Sequence, residues 1–236
     1  MKIYPRKKNK ILLLSLIYKI GNLLPISPIR KFKLFSKLQW IFWRLSREQI
    51  KHLYSLNESP YTTNTINFLK KKLNKNYNVL DLGCGDGALS YQISLHCKNI
   101  IGYDYDKSLI LKAKDKYKLI NNLKFEIAKI PEIFKSNTEY FDLIICSHII
   151  EHLDNYKDLL INLKKYGKNI FIEVPDFDAN DLNQVKKKFN IEPAYTDSDH
   201  IYEFDRDFLI NFFEKNGFKI SYNEFKDGVM RFIITH

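Results

Sequence analysis

The sequence predicts an α/β domain, a mainly parallel sheet with helices on both faces, preceded by a helical extension. Three observations carry this. From residue 77, β-rich apolar runs alternate with segments of helical spacing. A glycine-rich turn, "GCGDG" at 83–87, joins the first run to the next helix. Near the C-terminus, Asp227-Gly228 lies between two apolar runs, a hairpin signal.

The elements follow in order. "MKIYPRKKNKILLLSLIYKIGNLLPISPI" has a basic start and an apolar run, but the unbroken run is only Ile11 to Tyr18. Lys19, Gly21, Asn22 and Pro25 interrupt it, and no small-x-small cleavage pattern follows. A membrane span needs about 20 apolar residues, so neither secretion nor spanning is expected. "RKFKLFSKLQWIFWRLSREQIKHLYSL" places apolar residues at 34, 38, 41, 45 and at 35, 42, which is helical spacing. "SPYTTNTINFLKKKLNKN" reads as a helix leading into the first strand. Strands are then expected at "YNVLDLG", "NIIGYD", "LKFEIAK", "FDLIICSHII" and "NIFIEVP". Helices are expected at "ALSYQISLH", "SLILKAKDKYKLI", "KDLLINLKKYG" ending at Gly167, and "DRDFLINFFEKNGF" ending at Gly217. "KISYNEF" and "VMRFIITH" form the closing hairpin. Between Pro175 and the last helix lies a polar segment of some 25 residues, read as irregular; a loop that long in a compact domain is usually functional.

Charge divides the chain. Residues 1–72 hold 16 lysines and arginines against 2 acids, a net of +14; the remainder carries −3. The division expected is a basic helical extension, 1–60, and a near-neutral catalytic domain, 61–236. Trp40 and Trp43 lie on or beside the apolar face of the extension helix, among Arg30, Lys31, Lys33, Lys37, Arg44 and Arg47. Two readings stand: the helix packs on the domain, or it lies on an anionic membrane surface. Nucleic-acid binding is not expected, because no nucleic-acid motif accompanies the charge. Cys84, Cys97 and Cys146 are an odd, scattered set without C-x-x-C. They fit a reducing compartment and no disulfide framework or zinc site. The expected location is cytoplasmic, with peripheral contact at the inner membrane face under the second reading. The oligomeric state is not legible.

The glycine turn carries the chemistry. It also reads as G-x-G-x-x-A, a form of the dinucleotide motif. Yet Asp81 ends the strand just before the glycines, where an acid suits a cationic group better than a pyrophosphate. Asp104 ends the next strand, where a carboxylate can hold ribose hydroxyls. The ligand implied has a ribose, a positive group and a carboxylate, as S-adenosylmethionine does.

Asp81-x-Gly83-x-Gly85-x-Gly87, then Gly102-Tyr103-Asp104, then "FDLIICSH" from Phe141 with Glu151-His152-Leu153, resembles the class I S-adenosylmethionine-dependent methyltransferases, closest to their small-molecule branch. The resemblance spans about residues 65–236. It implies a Rossmann-like, doubly wound sheet of seven strands with the last antiparallel. It also implies that Asp81 lies near the donor's ammonium and that the loop of Gly83, Cys84, Gly85 and Gly87 lies against its methionine and ribose. Asp104 would bind the ribose hydroxyls and Tyr105 would lie along the adenine. Ser147, with Cys146 and His148, would end strand four near the sulfonium. Where the family often has an acid beside the adenine, this chain has Ile127-Ala128-Lys129. Lysine cannot accept that hydrogen bond, so a backbone N–H or C=O holds the adenine there or the affinity is lower.

Methyl transfer to a hydroxyl also needs a base, and histidine suits neutral pH. His200 is nominated first and His148 second. Glu173, Asp176, Asp199 and Tyr202, flanking the long polar segment, are the candidate acceptor contacts. His148 and His152 are four apart, but the order is not H-E-x-x-H and no third ligand is evident, so no metal is expected. The acceptor expected is small and polar, a sugar hydroxyl or surface-glycan precursor. The alternatives are a quinone- or lipid-type metabolite, methylated on O or N, and a non-catalytic binding module. A nicotinamide dehydrogenase is disfavoured by Asp81, "EHL" and the hairpin.

Overall fold

The computed structural model describes residues 12–53, 60–136, 139–193 and 195–236. The basic start of the chain and the expected domain boundary at 60/61 lie outside, or at the edge of, the described residues. The chain divides into two compact units, residues 1–47 and 48–236.

In the first unit, α1 (Leu12–Leu23) turns at Pro25 into α2 (Pro28–Leu53), which runs on into the second unit. Pro28 is α2's first helical residue, where its missing N–H costs nothing. Gly21 lets α1 meet α2 closely, since a Cβ there would lie 3.3 Å from the Phe35 ring. Most apolar side chains of the pair stay exposed, Leu13, Leu16, Phe42 and Trp43 among them.

The second unit is a seven-stranded sheet in the order β3-β2-β1-β4-β5-β7-β6. After α3 (Pro60–Lys70), β1 (Asn78–Leu82) and α4 (Ala88–Ser94) flank the glycine turn. Then come β2 (Asn99–Asp104), α5 (Lys107–Lys116), β3 (Leu123–Ile127) and α6 (Ile130–Ser136). β4 (Phe141–Ser147), α7 (Tyr156–Leu163) and β5 (Gly167–Pro175) follow. α8 (Asp181–Lys188) and α9 (Arg206–Lys215) lead to β6 (Lys219–Lys226) and β7 (Val229–Thr235). β1 to β5 pair in parallel. β7 is antiparallel to both β5 and β6, inserted between them. Asp227 (φ 58) and Gly228 (φ 77) form the hairpin turn, both in the left-handed region such turns need.

The alternation of a strand's side chains gives the sheet two cores. In β4, Ile144 and Cys146 face a layer with Leu160, Leu163, Leu209 and Phe213. Leu143 and Ile145 face the other layer, with Leu69, Ile93 and Ile110. Strand order reverses between β1 and β4: the chain winds through β2 and β3 on one side and β5 on the other. Such a switch point opens a crevice beyond the strands' carboxyl ends.

Two local readings are corrected. Gly167 begins β5 rather than ending a helix, and a Cβ there would meet Ile144 at 2.6 Å, so its role is close approach of β5 to β4. The long polar segment is partly helical. The Asn180 side chain caps α8 by accepting from the Leu182 N–H at 3.0 Å, a start signal strong enough to have been read.

Candidate active site

The crevice at the switch point holds two cavities. One, of about 370 Å³, is lined by Thr65, Asp81, Gly85, Ser147, Glu173 and Arg231 among others. The larger, of about 900 Å³, is lined by Asp104, Tyr105, Lys129, His152, Tyr166 and Asp199 among others. Gly83 and His148 line both, so the two are neighbours there.

β1 delivers Asp81 to the smaller cavity. Its carboxyl is 2% exposed and accepts from the Ser90 hydroxyl at 2.5 Å. Burial pushes its pKa up to about 7; the Ser90 bond opposes this and the charge of Asp104 adds to it. Asp104 ends β2. Its two oxygens accept from the Gly85 N–H and the Asp106 N–H, each at 2.9 Å. The carboxylate thus shapes the glycine loop and keeps a lone pair on each oxygen for a ligand.

The loop glycines have distinct jobs. Gly83, Gly85 and Gly87 all have positive φ. A Cβ on Gly83 would strike Ile149 and one on Gly87 would strike Phe125. One on Gly85 would meet nothing within 4 Å, because Gly85 faces the open cavity. That is a cradle for another molecule. Cys84 packs beneath Gly102, and its thiol is pushed up by burial and by the charges of Asp81 and Asp104. Cys146 is buried and raised for the same first reason. A thiol held protonated in this way is a poor nucleophile. Tyr105 is exposed at the rim of the larger cavity.

The floor of the smaller cavity is a network that crosses three strands in register: Ser147 on β4, Glu173 on β5 and Arg231 on β7. Glu173 accepts from Arg231 Nε at 2.5 Å, Ser147 Oγ at 2.8 Å and Thr65 Oγ1 at 2.8 Å. Arg231 is 1% exposed and also meets Glu224 at 3.1 Å. Arg231 and Thr65 are absent from the sequence reading. An arginine inside the apolar strand "VMRFIIT" was the available signal, since a buried charge needs a partner.

His148 lies just past β4 with φ 54, a strained conformation for a side-chain-bearing residue and one typical of functional sites. Its Nδ1 is 3.2 Å from Glu151 and its Nε2 is 3.5 Å from Glu173. It reaches both cavities. His200 does not line them. Its side chain is 5% exposed, with Nδ1 at 3.0 Å from both Glu203 and Thr196. Burial acts to lower its pKa, but Glu203's hydrogen bond and charge, with Glu151 and Asp197, outweigh that and raise it.

The proposed acceptor contacts separate. Glu173 faces the smaller cavity and Asp199 the larger. Asp176 lines neither. It is buried and forked by Arg206, with Nη2 at 2.6 Å, and it caps the turn at Phe177–Ala179. Tyr202 also lines neither; it packs edge-on against Tyr156 at 5.1 Å. Both side chains are engaged within the fold, Asp176 by Arg206 and Tyr202 by Tyr156.

This sheet order, with an acid ending β1, a positive-φ glycine loop and an acid ending β2, is that of the class I S-adenosylmethionine-dependent methyltransferase fold. Residues 47–222 match the family described as "Methyltransferase domain", and the chain belongs to that family. The ubiquinone biosynthesis O-methyltransferase of Rickettsia bellii (strain OSU 85-389) is 28% identical over 130 residues, 52% of each chain. Its counterpart in Rickettsia prowazekii is 28% identical over 174 residues, 70% of this chain and 64% of that one. The chain thus spans about half the length of the first of these relatives. Magnesium protoporphyrin IX methyltransferase (ChlM) from Synechocystis, crystallised with bound SAH, superposes with TM-score 0.61 at 15% identity. That match covers 83% of this chain and 94% of that one. The family's methyl donor is S-adenosylmethionine, which the open cradle at Gly85 and the buried acid at Asp81 fit.

Proposed function

We propose that this protein transfers the methyl group of S-adenosylmethionine to a hydroxyl of a small acceptor with an apolar body, of the quinone-precursor or lipid type. The observation that carries the reading is the pair of neighbouring cavities that share Gly83 and His148, with the buried Asp81 in one and Asp104 in the other. Asp81 holds the donor's ammonium, the Gly83–Gly87 backbone its methionine part, Asp104 its ribose and Tyr105 its adenine. Ser147 and His148 line the smaller cavity. Apolar side chains on the larger cavity, Ile130, Phe134, Ile149, Leu153 and Leu159, suit a partly apolar acceptor. The curated relatives named above supply the reaction type, O-methylation. The sugar or glycan acceptor that the sequence puts first has no support among these relatives, and its alternative is taken instead.

When bound, the sulfonium supplies an activated methyl group and departs with the S–C bond pair. The chain's own task is alignment and proton removal. His148 replaces His200 as first candidate for the base, because it alone of the two borders the cavities. It takes the hydroxyl proton, and Glu151 and Glu173 on either side stabilise the imidazolium. Calorimetry with S-adenosylmethionine and with NAD tests the donor. Radiolabelled methyl transfer to an alkylated dihydroxybenzene, set against a sugar panel, tests the acceptor. Transfer to sugars alone overturns the acceptor reading.

We also propose that α1 and α2 rest on an anionic membrane surface at its cytoplasmic face. Exposed apolar side chains next to Arg30, Lys31, Lys33 and Lys37 support this. No helix among the described residues is long and apolar enough to cross a membrane.

A further inference from the structure

We infer that Glu151, His152 and His200 form a binding site for a divalent transition-metal ion beside the larger cavity, which His152 lines. One ligand atom from each lies within 4.8 Å of the others. Three ligands about 2.0–2.2 Å from a metal lie about 3.3–4 Å apart, so the group needs to close by only about 1 Å. The third ligand, missing from the sequence argument, comes from 48 positions down the chain. The N–H groups of Ile201 and Tyr202 bond the Glu151 carbonyl at 2.9 and 3.1 Å and hold His200 opposite the turn that carries Glu151 and His152.

Two features separate this group from an incidental cluster. The first is Glu151. Its side chain is fully buried, and Oε1 meets His148 Nδ1 at 3.2 Å. Oε2 is buried with no hydrogen-bond partner. A carboxylate oxygen left so is costly unless a cation or a proton sits on it. The second is how the histidines are held. His152 Nδ1 is 3.2 Å from the Asp199 carbonyl, and His200 Nδ1 is 3.0 Å from Glu203. Each ring has its Nδ1 engaged, which sets the tautomer and leaves Nε2 to bind. Outer-shell carboxylates and carbonyls do this for metal-ligating histidines. The rings meet edge to face at 4.7 Å.

Two imidazoles and one carboxylate suit zinc or manganese better than calcium or magnesium. Three protein ligands leave at least one position open. His152 lines the larger cavity, so the site borders its contents. An acceptor with oxygen donors, such as adjacent hydroxyls, would fill it. That last role rests on the O-methylation reading; the metal site does not.

The test uses the full chain, stripped with chelator and dialysed. Calorimetry with Zn²⁺ and with Mn²⁺, and absorption of a Co²⁺-loaded sample, read the site directly. The expected result is one ion per chain, four- or five-coordinate Co²⁺ bands, and a metal-dependent rise in melting temperature. Glu151→Gln, which keeps shape and burial, and His152→Ala, on the cavity wall, each weaken binding at least tenfold. His200→Ala does the same if folded, and the other two variants stand without it. S-adenosylmethionine binding is titrated in parallel. A chain that binds the donor but no metal, or whose metal affinity is unchanged in both Glu151→Gln and His152→Ala, overturns the site. A chain that binds metal through these residues but not the donor supports the site and overturns the methyl-donor reading instead.

Discussion

Asp81→Asn tests whether the buried acid is kept for the ligand or for the fold. In the unfolded chain the carboxyl titrates near 3.8; burial holds it at about 7 in the native state. Between those values the native state binds a proton that the unfolded state does not. Asp81's contribution to stability is therefore intact below pH 3.8 and is lost as pH rises through about 7. At about 1.4 kcal/mol per pH unit, the loss is about 4 kcal/mol. Asparagine is isosteric, uncharged and still accepts the Ser90 hydroxyl. The unliganded variant should exceed wild type by about 4 kcal/mol at pH 8 and by less than about 2 kcal/mol at pH 5. Urea denaturation at the two pH values measures both. Donor binding should move the other way. An ammonium needs the ionised acid, so wild-type affinity rises about tenfold per pH unit from 5 to 7 and levels off above. Binding near pH 6 releases a proton, seen as a buffer-dependent heat. In the variant, affinity is weaker and flat with pH. An Asp81→Asn protein no more stable than wild type at pH 8, or wild-type affinity flat from pH 5 to 8, refutes the reasoning.

Four further outcomes are expected. Arg231→Met leaves Glu173 buried without its cation and costs about 3–5 kcal/mol in urea unfolding; adding Glu173→Gln recovers most of it, and additive losses count against a coupled pair. Gly85→Ala places its Cβ in open cavity, so it costs the fold only about 1–2 kcal/mol while donor affinity falls at least tenfold; Gly87→Ala, facing Phe125 at 2.3 Å, is the more destabilising of the two by thermal melting. His148→Ala lowers turnover at least tenfold with donor affinity within threefold of wild type, and equal turnover removes it as the base. Exchanging Arg30, Lys31, Lys33 and Lys37 for glutamine in the full chain abolishes sedimentation with anionic vesicles, and no binding by the wild-type chain removes the membrane reading.

Asp81, Asp104 and the glycine loop were legible because each follows from local order. A strand's end, a tight turn and a helix start lie within about 25 residues, and strand periodicity places their side chains. The closing hairpin was legible for the same reason, through Asp227-Gly228. Long-range neighbours were not. Glu173 and Arg231 are 58 residues apart and meet only because β7 inserts between β5 and β6. Strand order is a property of the whole sheet, and side-chain period says nothing about which strand lies alongside. His200 reaches Glu151 and His152 through two backbone hydrogen bonds whose partners no motif names. By itself the amino-acid sequence determined the fold class and the glycine loop between β1 and α4, because alternation and turn chemistry are local. Only the tertiary structure decided which histidine borders the cavities, the buried Arg231–Glu173 floor and the Glu151–His152–His200 cluster, because each joins segments whose adjacency is set by packing.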